Sequence, residues 1–143
     1  VSISTFVSHS DAETRRFATQ FANQIKGNEK ICLIGPLGAG KTTFVRGFVE
    51  RFNIPAEDVQ SPTFTLVREY GNSPKIYHID LYRFEKEEDI FEAGIYELLT
   101  GNELVIVEWA DKLSRYYPHP SIRIQMKHSG EQTREIEISS GPV

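Results

Sequence analysis

The chain has 143 residues with a formal net charge of −4, 39% hydrophobic residues and a single cysteine. That length fits one domain with one core, and the negative balance excludes unaided tight binding to nucleic acid, which depends on lysine and arginine neutralising phosphates. One cysteine, Cys32, excludes an internal disulfide framework and suits a reducing cytosol.

The opening "VSISTFVSHSDAETRRF" has no basic segment followed by a long apolar run, and no stretch approaches the roughly 18 apolar residues of a membrane span. A soluble, unexported, cytoplasmic protein is expected. A short strand is predicted near Ile3 to Val7. Ser10 and Glu13 then form S-x-x-E, a capping box opening a helix whose Phe17, Phe21 and Ile25 share a face and which Gly27 and Asn28 end.

Ile31, Cys32, Leu33 and Ile34 read as a short buried strand, followed by "GPLGAGKTT" and then by Phe44, Val45, Phe48, Val49 and Phe52 at helical spacing. Gly35, Gly40, Lys41 and Thr42 match G-x-x-x-x-G-K-[ST], the P-loop pattern, in which glycines let successive backbone N–H groups turn toward phosphate oxygens. A chance match arises on the order of once per hundred chains, and strand, glycine loop and helix stand in the order the motif needs. Gly38, Ala39, Gly40, Lys41, Thr42 and Thr43 are therefore the expected nucleotide contacts, with Lys41 also catalytic.

After Ile54 and Pro55, "QSPTFTLVREY" and "KIYHIDLYRF" read as two antiparallel strands joined by "GNSP". Thr63 or Thr65 lies where nucleotide switches place a threonine that senses the γ-phosphate; a Ser-Pro turn entering a strand accounts for the segment equally well. A period of two puts Ile76, His78 and Asp80 on one strand face. Asp80 is a catalytic candidate, either contacting a metal's water shell or positioning water; a cap or a pair with Arg83 is the alternative. His78, without a second nitrogen ligand nearby in sequence, reads as structural.

"EKEEDIFEAGIYELL" reads as one helix, and "ELVIVEW" as a buried parallel strand. A P-loop needs a carboxylate from a neighbouring strand to hold its metal, and Glu108 supplies one. Thr42 and Glu108 are the expected Mg²⁺ ligands. Trp109 is either a core aromatic or an exposed interface anchor. "SIRIQMKHSGEQTREIEIS" alternates as a final hairpin, in which Arg134 shares parity with Ile136 and Ile138. Together these elements predict an α/β, P-loop NTPase-like sandwich with a mixed parallel and antiparallel central sheet.

In combination and in this order, "GPLGAGKTT", "SPTFTLV", "YHIDLYR" and "VEWADK" resemble the TsaE family of P-loop ATPases, over Ser10 to about Lys112. The resemblance implies ATP hydrolysis in tRNA N6-threonylcarbamoyladenosine biosynthesis, in concert with the TsaB and TsaD proteins. The chain would drive or reset their cycle rather than transfer the group. It also implies that Lys41 and Thr42 hold phosphate and Mg²⁺, Glu108 the metal, that Asp80 supports hydrolysis, and that Trp109 serves activity near the partner surface. By the same resemblance, Asp11 and Arg134 offer nucleotide contacts from the first helix and the last hairpin. A small-molecule kinase and a non-enzymatic, nucleotide-gated binding module remain alternatives. The kinase reading lacks an arginine-rich lid, since only Arg115 lies between the metal strand and the last hairpin. A GTPase would need an N-K-x-D guanine-reading motif, and nothing in the chain resembles one.

Overall fold

The computed structural model of the protein describes residues 2–36, 38–60 and 66–141. Its strands are β1 (Ser2–Ser8), β2 (Lys30–Ile34), β3 (Val67–Tyr70), β4 (Ile76–Asp80), β5 (Leu104–Glu108), β6 (Ser121–His128) and β7 (Arg134–Gly141). Its α-helices are α1 (Asp11–Ala22), α2 (Lys41–Glu50), α3 (Glu87–Glu92) and α4 (Tyr96–Thr100).

All seven strands join one sheet in the order β1-β7-β6-β2-β5-β4-β3. β6, β2, β5 and β4 run parallel, while β3 and the β1–β7–β6 ribbon add antiparallel edges, so the sheet is mixed as predicted. Parallel pairing brings the C-terminal ends of β2, β4 and β5 to the same edge. Ligands of open α/β sheets bind outside that edge.

The continuous apolar runs follow from burial on both faces. Every residue of β2 and of β5 is buried. Ile31, Leu33, Leu104 and Ile106 pack with Ala18 and Phe21 of α1 and Phe44 and Phe48 of α2, whereas Cys32, Ile34, Val105 and Val107 pack on the other face with Ile90, Ile95 and Leu99. Burying each large side chain contributes about 1.5–3 kcal/mol. α2 is thereby fixed against the sheet with its first turn at the edge where β2 ends.

Two helix boundaries differ from those predicted. α1 does begin at the Ser10 cap, whose side chain accepts the Glu13 N–H at 3.1 Å, but it ends at Ala22 rather than at Gly27 and Asn28. The amides of Asn23, Gln24 and Ile25 bond three residues back, each at 3.1 Å, and the Glu29 carboxylate collects the next three, of Lys26, Gly27 and Asn28. Ile25 still reaches the core from outside the helix. The acidic segment forms two short helices instead of one, because Gly94 takes φ 83 between them. That left-handed turn lets Ile90, Ile95 and Leu99 all face the same core cluster.

Candidate nucleotide site

Gly35 leaves β2 in close contact with its neighbour: a Cβ there would lie 2.4 Å from the Met126 carbonyl oxygen of β6. Only glycine fits that approach. Gly40, at φ 96, is the N-cap of α2 and makes no side-chain cap, so the first amides of α2 are left for an anion. Gly38, Gly40, Lys41, Thr42 and Thr43 line a cleft of about 340 Å³. Ala39 does not. Its side chain is fully buried and its N–H donates to the Pro36 carbonyl at 3.2 Å.

Lys41 is only 5% exposed. Its ammonium donates to the Gly35 carbonyl at 2.6 Å and lies 3.9 Å from the centre of the Trp109 ring. Burial holds its pKa below the usual lysine range, while the carboxylates of Glu108, Asp80 and Asp111 pull it back up. The ammonium thus sits among acids with donor capacity to spare.

Glu108 closes β5, where it stands opposite Asp80 of β4 and Leu33 of β2. It is 4% exposed and lines the cleft. Its Oε2 lies 2.5 Å from Nε2 of fully buried His78, whose Nδ1 is 3.0 Å from the Tyr70 hydroxyl. The buried hydrogen bonds of His78 agree with its structural reading, and they join it to a cleft-lining acid that its sequence neighbourhood did not reveal. What joins it to Glu108 is strand register: the pairs His78–Ile106 and Asp80–Glu108 put both side chains on the α2 face. Their positions, 30 apart, gave no local signal, although the shared parity of His78 and Asp80 was visible.

Asp80 is buried, lines the cleft and accepts the Tyr82 N–H on Oδ1 at 2.9 Å, so it caps the end of β4 while facing the site. Tyr82, which the sequence did not single out, also lines the cleft. The Leu81 N–H donates to the Glu108 carbonyl at 3.1 Å, which ties the two strand ends together.

Trp109 is half-buried, not an exposed anchor. Its backbone takes φ 59, a left-handed conformation that costs a non-glycine residue on the order of 1–3 kcal/mol, and its ring packs 5.1 Å from that of Tyr82. The turn it makes directly after Glu108 lays the indole against the Lys41 ammonium.

Asp11 and Arg134 are brought to the same cleft from α1 and β7. Arg134 donates from Nη1 to the carbonyls of Glu131 (3.3 Å) and Thr133 (3.2 Å), whereas its buried Nε has no partner among the described residues. It reaches across the loop, since a Cβ on Gly40 would lie 3.7 Å from that Nε. Thr63 and Thr65 lie outside the described residues.

A divalent cation fits this donor set. Glu108, whose Oε2 is bonded to His78, and Thr42 line the same cleft, and a carboxylate and a hydroxyl are oxygen donors of the kind such an ion takes. A larger cavity of about 570 Å³ lies at the opposite ends of the strands, beside Lys30, Tyr96 and Tyr116. Its lysine is already bonded to the carbonyls of Asn28, Gly101 and Glu103. Among the described residues no helix is long and apolar enough to cross a membrane.

Comparison with known proteins agrees with this architecture. The family model for threonylcarbamoyl adenosine biosynthesis protein TsaE matches residues 8–136. A tRNA threonylcarbamoyladenosine biosynthesis protein TsaE from Rickettsia bellii is 37% identical over 133 residues, covering 92% of each chain. The protein of that name from Bacillus subtilis is 37% identical over 129 residues, covering 90% of this chain and 80% of its own. The crystal structure of Bacillus subtilis YdiB superposes with a TM-score of 0.77 at 30% identity, over 98% of this chain and 86% of that one. The chain belongs to the TsaE family.

Proposed function

We propose that this chain is the ATP-hydrolysing component of the bacterial machinery that makes N6-threonylcarbamoyladenosine in tRNA, working in the cytoplasm with the TsaB and TsaD proteins. The observation that carries the reading is Lys41, held beside Glu108 and Asp80 at the uncapped start of α2. The relatives, tRNA threonylcarbamoyladenosine biosynthesis proteins, support the choice of pathway. In this reading the amides of the loop and the Lys41 ammonium bind the β and γ phosphates, and Asp11 and Arg134 add contacts from the flanks. Thr42 and Glu108 would hold Mg²⁺, which when bound neutralises charge on the phosphates. Asp80, its Oδ1 fixed by the Tyr82 N–H, orients the hydrolytic water. Trp109 positions the lysine and couples the site to a docked partner.

Phosphate release from ATP and Mg²⁺, with and without the TsaB and TsaD proteins, tests the reading. Release without any phosphoryl acceptor, rising when the partners are added, is expected. Nucleotide binding with no release under either condition would leave a nucleotide-gated binding module, and turnover only with a small-molecule acceptor would make the chain a kinase.

A further inference from the structure

We propose that His78, braced by Tyr70, is a positioning residue that turns the Glu108 carboxylate toward the cation of the nucleotide site. The inference rests on the metal role proposed for Glu108 and goes beyond it, to the two residues that would make that role work.

The three side chains form an unbroken polar line through the α2 face of the sheet. His78 is 0% exposed, Glu108 4% and Tyr70 6%. The hydrogen of the His78–Glu108 contact can be assigned from the chemistry. A carboxylate has no hydrogen to give, so across the 2.5 Å contact Nε2 of His78 donates to Oε2 of Glu108. At the other end the Tyr70 hydroxyl lies 3.0 Å from Nδ1 and 3.3 Å from the carbonyl oxygen of Gln60. Both ring nitrogens thereby have a polar partner within hydrogen-bond distance.

Such a line gives little stability for its own sake. Replacing buried, mutually bonded polar groups by apolar side chains of similar shape is often neutral or favourable, and the surrounding residues, Ile76, Leu104 and Ile106, already form an apolar cluster. What the line does provide is direction. A glutamate at a strand end can rotate about its terminal bond; with Oε2 pinned by His78, the carboxylate keeps one orientation in the cleft that Glu108 lines with Lys41 and Thr42. Carboxylates that bind metals are commonly held by such a bond, and losing the holder typically costs ten- to a hundredfold in metal affinity.

The test uses the full chain and measures ADP affinity across a Mg²⁺ series and in EDTA, with the melting temperature of each variant alongside. For His78→Leu, the Mg²⁺ concentration giving half of the metal-dependent tightening should rise about ten- to a hundredfold, while affinity in EDTA stays within about twofold of the parent. His78→Gln, which returns an N–H near the Nε2 position, should recover part of that shift. Tyr70→Phe, which keeps the ring and removes only the brace, should shift the requirement severalfold in the same direction and keeps the test open if His78→Leu does not fold. An unchanged Mg²⁺ requirement in folded variants, or equal weakening with and without Mg²⁺, overturns the proposal alone. A parent whose ADP affinity ignores Mg²⁺ overturns the metal role of Glu108 and this proposal with it.

Discussion

Lys30 and Lys41 stand at opposite ends of the segment made by β2 and its glycine loop, each 5% exposed, and the molecule treats them differently. Lys30 opens β2 and spends its ammonium on three backbone carbonyls, those of Asn28 (3.2 Å), Gly101 (2.9 Å) and Glu103. Lys41 opens α2 and, among the described residues, bonds a single carbonyl, that of Gly35, with the Trp109 ring against it. Burial lowers the pKa of both; Glu103 and Glu29 oppose the shift at Lys30, and Glu108, Asp80 and Asp111 oppose it at Lys41. A buried lysine is thus no mark of a site by itself. The mark is unspent donor capacity facing a cleft that also holds acids and uncapped helix amides.

The largest expected effect breaks the pair apart. Lys41→Ala should abolish ATP turnover and weaken ATP binding about ten- to a hundredfold or more, because each charge-assisted bond to phosphate is worth roughly 1.5–3 kcal/mol. Its fold should survive, since the change removes a buried charge with one carbonyl acceptor among the described residues. Lys30→Ala should do the reverse, leaving nucleotide affinity near that of the parent and lowering stability by about 3 kcal/mol through its unpaired carbonyls. Phosphate release, ATP titration and urea denaturation on both variants decide it. Equal loss of ATP binding in the two would erase the distinction.

A somewhat smaller effect separates the ion from the phosphates. Thr42→Ala and Glu108→Ala should lose most of the Mg²⁺-dependent gain in ADP affinity yet retain metal-free binding, because their proposed contacts pass through the cation. ADP titrations with Mg²⁺ and with EDTA check this. Parallel losses under both conditions would mean that the two side chains support the loop or touch the nucleotide directly.

How much of this contrast the sequence displayed depends on how local each part is. The strand, the glycine loop and Lys41 are contiguous, and the structure has them in that order; Glu108 and Asp80 were legible because an acid ending an apolar strand needs a reason to be there. Asp11 and Arg134 entered only through the family resemblance, and both line the cleft. The role of His78 was hidden because it rests on the register of β4 against β5. The early end of α1 was hidden for a similar reason: the Glu29 carboxylate competes for the amides that would have continued the helix. For Trp109 the sequence left a core aromatic and an exposed anchor open, and the ring is half-buried between the two, because nothing local announces the left-handed backbone that folds it back over Lys41.

That ring gives the third prediction. A cation–π contact of this kind is worth about 0.5–2 kcal/mol, so Trp109→Ala should keep nucleotide affinity within roughly tenfold to thirtyfold of the parent. Hydrolysis stimulated by the TsaB and TsaD proteins should fall much further, because the proposed function has the indole both steady the lysine and couple the site to a docked partner. Trp109 is the only tryptophan in the chain, so its fluorescence should also change when nucleotide draws the ammonium away. A variant stimulated like the parent would remove Trp109 from the coupling.

The smallest effect concerns Cys32, which lies on β2 between the two lysines but faces the opposite side of the sheet from α2. Burial, the largest cause, pushes its thiol up to about 11 from 9.0. A shift of that size leaves on the order of a hundredfold less thiolate at neutral pH, and thiolate is the reactive form. Alkylation by iodoacetamide at neutral pH should therefore be negligible in the folded chain and rapid in urea. The sign for stability follows the same protons. Above about pH 9 the unfolded chain releases the thiol proton first, so this group's contribution falls as pH rises toward about 11. Cys32→Ala should cost about 1 kcal/mol from the methylene-scale cavity it leaves, with Mg²⁺-dependent ADP affinity unchanged. If instead that substitution weakened nucleotide binding as Lys41→Ala does, the site would extend down the strand, and the contrast between its two ends would not hold.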